Sequence, residues 1–150
     1  MYISYDGGET WTKRSDEDGL PKGELGRIGL AISRSKPNVV YALIEEKDNA
    51  LYRSDDGGTK WRKMADKNMG DRPFYYSEIY VDPKDENRVY SIHTVITRSE
   101  DGGRNFDTWA GWTIHPDHHA FWISPDDSEF IINGNDGGLN ITRDGGKSWR

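Results

Sequence analysis

An octamer repeated four times, short runs of β-branched and aromatic residues, and Pro/Asp/Asn-rich turns between those runs predict an all-β repeat fold, a partial β-propeller. The octamers read SYDGGETW (4–11), SDDGGTKW (54–61), SEDGGRNF (99–106) and TRDGGKSW (142–149). Their shared skeleton is a hydroxyl residue, any residue, Asp, Gly, Gly, two further residues and an aromatic. The aspartates Asp6, Asp56, Asp101 and Asp144 stand 50, 45 and 43 residues apart. A period of this size marks units that bury their apolar surface against one another.

Between octamers the same order of segments recurs. After the first come a polar loop, the run RIGLAIS (27–33), the turn RSKPN (34–38), the run VVYALI (39–44) and a short segment ALYR (50–53). The next unit gives SEIYV (77–81), DPKDEN (82–87), RVYSIH (88–93) and TVITR (94–98). The third gives HAFWI (119–123), SPDDS (124–128), EFIIN (129–133) and GLNI (138–141). Each unit thus holds two apolar strands joined by a turn, a third strand, the octamer, and a fourth strand that starts at the aromatic. The first strand is apolar on both faces, with Leu30, Ile79 and Phe121 on one side and Ala31, Tyr80 and Trp122 on the other. Such a strand is expected to lie between neighbouring sheets. Four-stranded sheets stacked face to face around an axis form a propeller. The expected blade pieces are about 1–15, 24–65, 74–109 and 117–150, roughly three and a third blades. Closed propellers have about 4–8 blades, so the chain is expected to be a fragment whose first partners are the remaining blades.

The octamer is turn chemistry, expected on the hairpin between the third and fourth strands. Paired glycines permit the positive φ of a tight turn. The aspartate accepts backbone N–H groups within the turn and the hydroxyl does so from the preceding strand. The aromatic then fills the seam between adjacent sheets. Asp6, Asp56, Asp101 and Asp144 are therefore read as structural.

Composition narrows the function classes. The net charge of −6 argues against nucleic acid as a partner. There is no cysteine, which excludes disulfides and thiolate metal sites. No apolar stretch approaches the roughly 20 residues of a membrane span, and the N-terminus carries no signal peptide pattern.

Topology divides the remaining polar residues. If the octamer marks the third turn of each unit, the RSKPN, DPKDEN and SPDDS turns share its end of the sheet. The opposite end receives all four histidines, His93, His115, His118 and His119, with Arg72, Tyr75, Tyr76, Glu78, Asp117, Asn135, Asp136 and the acidic loop 45–48. Strand alternation would aim His115, Asp117 and His119 to one side, a weak candidate site for a divalent metal; no other cofactor is implied. The plainer reading makes His118 and His119 polar strand-end residues bonded to neighbouring loops, or ligand contacts. Trp109 and Trp112 in TWAGW offer flat faces to a sugar ring, or cap a seam. Arg72, Tyr75 and Tyr76 complete the ligand-binding candidates. Asp117, Asp136 and Glu78 are the carboxylates available for acid/base work.

The octamers resemble Asp-boxes, also called bacterial neuraminidase repeats, found in sialidases, xyloglucanase-type glycosidases, photosystem assembly factors and sortilin-like receptors. The wider text RPFYYSEIYVDP (72–83), HPDHHAFWISP (115–125) and GNDGGLNIT (134–142) is most similar to bacterial proteins with sortilin-like propellers. That resemblance implies an extracytoplasmic, secreted or periplasmic, binding or scaffold module for peptide, protein or glycan ligands. The alternative it implies is a glycoside hydrolase, sialidase- or xyloglucanase-like, with acids at the channel face. The arginine triad and Phe-Arg-Ile-Pro signature of sialidases are not evident.

Overall fold

The computed structural model describes residues 1–46, 49–70, 75 and 78–150. It is built from short antiparallel strands: β1 (Tyr2–Ile3), β2 (Thr12–Lys13), β3 (Ile28–Ile32), β4 (Val40–Ile44), β5 (Ala50–Ser54), β6 (Arg62–Ala65), β7 (Glu78–Val81), β8 (Val89–Ile92), β9 (Ile96–Ser99), β10 (Asp107–Ala110), β11 (His118–Ile123), β12 (Ile131–Asn135) and β13 (Gly138–Thr142). They form a β1-β2 ribbon, the four-stranded meanders β3-β4-β5-β6 and β7-β8-β9-β10, and the meander β11-β12-β13. A backbone pair between Ile141 and Arg150 begins a further strand beside β13. The octamer lies between the third and fourth strands of each sheet, so this is a partial propeller.

Three apolar clusters hold the sheets together, one in each seam. Between β1-β2 and the β3 sheet lie Leu20, Ala42, Ile44, Tyr52 and Trp61. Between the β3 and β7 sheets lie Tyr41, Leu43, Leu51, Ile79 and Phe106. The third seam holds Tyr90, Ile92, Ile96, Phe121 and Ile131. The middle strands carry the burial: every residue of β4, β5 and β8 is buried. The segment after β2, read from sequence as a polar loop, contains a 3-10 turn at Asp16–Asp18 that brings Leu20 into the first seam.

The innermost strands depart from the expected two-sided burial. Ile79 and Phe121 are 5% and 6% exposed, but Leu30, at the equivalent position of β3, is 58% exposed. Ile32 is likewise exposed, as are Trp122 and Leu139 on the outer face of the last sheet. The cause is local. Only the β1-β2 ribbon stands before the β3 sheet, and it covers the outer strands and not β3.

The octamer turns are built alike. In the second, Ser54 Oγ donates to Asp56 Oδ1 (2.7 Å) and accepts the Gly58 N–H (2.9 Å). Asp56 Oδ1 also accepts the N–H groups of Thr59 and Lys60, at 3.0 and 2.9 Å. The Trp61 indole N–H closes the turn on Gly58 O at 2.9 Å. Counterpart bonds to the hydroxyl and carboxylate recur around Asp6, Asp101 and Asp144. Hydrogen bonding holds these carboxyls low. Thr10 brings Asp6 to about 2 and Ser148 brings Asp144 to about 2. At Asp101 burial opposes, but the bonds from Asn105, Ser99 and Arg104 together still bring it to about 2.

The two glycines have separate tasks. The first donates its N–H to the turn beside it, Gly57 to Asn38 O (2.8 Å) and Gly102 to Asn87 O (2.9 Å). The second meets the neighbouring sheet, with Gly58 against Ile3, Gly103 against Leu51 and Tyr41, and Gly146 against Trp109. A buried polar bridge reinforces the second seam. Arg53 Nη1 donates to Tyr41 Oη and Asn87 Oδ1, both at 2.8 Å, and Tyr41 Oη donates to Glu86 O. Burial pushes the Tyr41 hydroxyl up to about 12, so it remains a donor.

Two outcomes follow from this packing. Gly103 has φ +88 and an added Cβ would lie 2.6 Å from Leu51 Cδ2, whereas at Gly57, φ +74, it would meet nothing within 4 Å. In chemical denaturation Gly57→Ala is expected to lose about 1–2 kcal/mol, the conformational cost alone. Gly103→Ala should lose a further ~1–3 kcal/mol from overpacking; equal losses would refute the seam role of the second glycine. The exposed Leu30, Ile32, Trp122 and Leu139 should make the chain self-associate as concentration rises. Sedimentation velocity should show this weakened in the Leu30→Asp/Trp122→Asp double variant, and a concentration-independent monomer would contradict it.

Candidate functional site

The sheet ends away from the octamers gather the loops that enter each first strand and the turns between second and third strands. Three of these connections are stitched together by backbone. His118 N–H donates to His93 O (2.9 Å), Asp117 N–H to Thr94 O (3.2 Å) and Asp136 N–H to Asp117 O (3.3 Å). The β8–β9 turn, the entry to β11 and the β12–β13 turn therefore meet at one seam.

A groove of about 520 Å³ opens on this face, lined by Asn49, Asp66, Asn68, Met69, Gly70 and the residues His93, Thr94 and Val95 of the β8–β9 turn. Its volume falls within the range of about 300–1,000 Å³ common for ligand sites. The loop after β6 is held by side chains. Thr97 Oγ1 donates to Asn68 O (2.6 Å), Asn68 Nδ2 to Phe106 O (2.9 Å) and Asn49 Nδ2 to Gly70 O (3.4 Å). Asn68 adopts φ +58, a left-handed conformation that Asn tolerates better than most residues. Met69 is buried and anchors the loop in the second seam.

The sequence-level candidates separate under this geometry. His115, Asp117 and His119 do not line up on one strand face, because Asp117 has φ +63 and the segment before β11 is bent. His115 lies against Gly137 with Nδ1 at 3.0 Å from Pro116 O, while His119 Nε2 faces Asp136 Oδ1 at 3.0 Å. Among the described residues no three His, Asp or Glu side chains are grouped to hold a metal ion.

His118 is not a surface contact: it is 1% exposed. Asn133 Oδ1, 2.9 Å from its Nδ1, also accepts Asn135 Nδ2 (3.0 Å), and Asn133 Nδ2 donates to Ala120 O (3.0 Å). That pattern makes His118 Nδ1 the protonated nitrogen. Asn135 continues the ladder to Asn140 Oδ1 (2.7 Å). This buried amide–imidazole network went unseen in the sequence, although three asparagines in IINGNDGGLN (131–140) were its trace.

Trp109 is half-buried in the third seam, edge-on to Tyr90 and Trp149. It caps a seam. Trp112 and Tyr75, by contrast, are 77% and 69% exposed on two loops of the same face. Arg72, Tyr76 and Asp48 lie outside the described residues. Of the carboxylates, Glu78 is bonded to Arg27 (3.2 Å) and to Tyr80 Oη (2.7 Å), and Asp136 to His119. Glu78 starts β7, while Asp117 and Asp136 are joined through backbone at the next seam.

The repeat itself matches a known family. Residues 2–13 fit the BNR/Asp-box repeat. The four motifs are Asp-boxes, and the sheets are blades of a β-propeller. No curated protein sequence matches the chain. Solved structures similar to it are propellers of several kinds. One is the GH74 enzyme of Niastella koreensis, 17% identical over 82% of this chain and 22% of that one, with a TM-score of 0.60. Another is YCF48 bound to D1 peptide, 14% identical over 97% and 72%, TM-score 0.50. A third is the nidogen/laminin complex, 15% identical over 82% and 46%, TM-score 0.58. The chain spans about a fifth of the length of the GH74 structures it matches. At these identities the likeness shows the Asp-box propeller fold and nothing finer. No helix among the described residues is long and apolar enough to cross a membrane.

Burial pushes the His118 imidazole below its ordinary value of 6.5, with the Asn133 bond opposing in part. The unfolded chain therefore binds this proton more readily, so the contribution to stability is full above about pH 6.5 and declines as pH falls below it. The C2–H proton resonance of His118 should titrate with a midpoint below 6.5, with the melting temperature falling over the same window. A midpoint at or above 6.5 would contradict this burial argument.

Proposed function

We propose that these Asp-box blades belong to an extracytoplasmic, sortilin-like propeller that binds a protein or peptide on the face opposite the boxes. The observation that carries the reading is the 520 Å³ groove between two blades, with the side chains of Tyr75 and Trp112 exposed in the segments that lead into β7 and β11. A groove with amide, hydroxyl and apolar walls and aromatic neighbours suits an extended chain, with few groups fixing orientation and aromatics supplying contact area. Two similar propellers are named for such complexes, one with D1 peptide and one of nidogen with laminin. Remaining blades would cover Leu30 and Trp122, as Ile79 and Phe121 are covered within this chain.

The hydrolase reading has the GH74 likeness in its favour. Against it, Glu78 is committed to Arg27 and Tyr80, and Asp136 to His119.

Selection of random peptides displayed on phage tests the proposal. Enriched peptides should bind the wild-type chain and lose at least tenfold in affinity with Trp112→Ala or with Val95→Arg, which fills the groove. Melting should be unchanged for Trp112→Ala, since that side chain is largely in solvent. Binding indifferent to both changes would reject the site. Turnover of xyloglucan or sialosides by the chain, abolished in Asp136→Ala, would replace binding by hydrolysis.

A further inference from the structure

We infer that the groove between the β3 and β7 sheets receives a cationic side chain, lysine or arginine, of the bound peptide. This rests on the binding reading above and names its ligand chemistry. Three observations carry it.

The first is the set of hydrogen-bonding groups on the wall. Asp66 presents a carboxylate, its side chain 47% exposed. The Asn49 amide nitrogen is spent on Gly70 O, which fixes the orientation of the amide, and its Oδ1 is buried with no donor among the described residues. Both groups are acceptors. A guest that brings only donors answers the Asp66 carboxylate, the acceptor of the two that is open to solvent, and the side chains with donors and no acceptor are those of Lys, Arg and Trp. Only the first two also answer the carboxylate charge.

The second is the apolar strip. Met69 and Val95 lie on the same lining as Asp66. Lysine and arginine bury an aliphatic stem while the charged head stays with polar partners, so the lining matches both halves of such a side chain.

The third is the field. Apart from the four histidines, which the formal charge counts as neutral, the described ionisable groups on this face include six carboxylates, Glu45, Glu46, Asp66, Glu78, Asp117 and Asp136, against Arg27, Lys63 and Lys67. Lys63 already bridges Asp66 (3.2 Å) and Glu46 (3.8 Å). One resident cation shared between two carboxylates leaves an acidic excess beside the groove. The net charge of −6 acts in the same direction and steers a basic segment towards it.

The test uses the full chain immobilised at low density for surface plasmon resonance, with three capped tripeptides: acetyl-Gly-Arg-Gly-amide, its lysine counterpart, and its norleucine counterpart as the uncharged stem. The arginine or lysine peptide should bind saturably, and the norleucine peptide at least tenfold more weakly. Asp66→Asn should lower the affinity for the cationic peptide at least fivefold and abolish its advantage over norleucine, with an unchanged melting temperature. Affinity should also fall as salt rises, since the attraction is between partly exposed charges. Equal responses to all three peptides, no saturable response to any, or indifference to Asp66→Asn would overturn the inference. Phage-selected peptides that bind through the groove without requiring a basic residue would remove this inference and leave the binding function standing.

Discussion

The fold depends on one turn that is fastened in three directions at once. Within the second and third Asp-boxes, the carboxylate gathers two backbone N–H groups and a hydroxyl, so the hairpin between third and fourth strands has little freedom left. The first glycine ties that hairpin to the neighbouring turn of its own sheet. The second lets the hairpin approach the adjacent sheet, and in the second and third boxes the aromatic that follows, Trp61 or Phe106, enters a seam, whereas Trp11 of the first box stays exposed. Strands of four or five residues carry too few ladder bonds to fix a sheet alone. The turn compensates by fixing where each sheet ends and how closely the next one stacks.

That arrangement separates the two ends of the blades. At the box end, polar groups are satisfied by their own turn or by the next blade, as with Arg53, Tyr41 and Asn87. At the other end the loops differ from blade to blade in length and composition, and each is held by contacts peculiar to itself, such as Asn68 to Phe106 O or Asn133 to His118. Repetition builds the scaffold, and its absence from these loops makes room for recognition.

The same division explains what the sequence disclosed. The strands, the turns between them and the box position were legible because three units repeat them and the apolar runs are bounded by turn residues. Burial of Leu30 and Trp122 was expected from the pattern, but burial depends on a neighbour that a pattern does not contain. The face bearing the histidines was legible from topology alone. Their grouping was not, because a single left-handed residue, Asp117, breaks the alternation on which the expected alignment of His115, Asp117 and His119 relied. The groove was out of reach for a similar reason. Its walls come from three separate loops, and nothing in the isolated text of Asn49, Asp66 or Thr94 signals that they meet.

The position of the groove has a thermodynamic consequence. Asn49 belongs to the β3 sheet, Thr94 and Val95 to the β7 sheet, and the loop carrying Asn68 and Met69 connects them. On the proposed reading, a ligand seated there would contact both sides of one seam and would bind only when the two sheets are stacked. By linkage, its binding free energy adds to the stacking of those blades. The box turns set the seam geometry from the opposite end, through Gly103 against Leu51 and Tyr41. A disturbance of that packing therefore reaches the groove through the rigid body of two sheets, without any contact between box and ligand. Box variants in this fold should weaken binding only to the extent that they loosen the seam, which separates a residue that shapes the scaffold from one that touches the ligand.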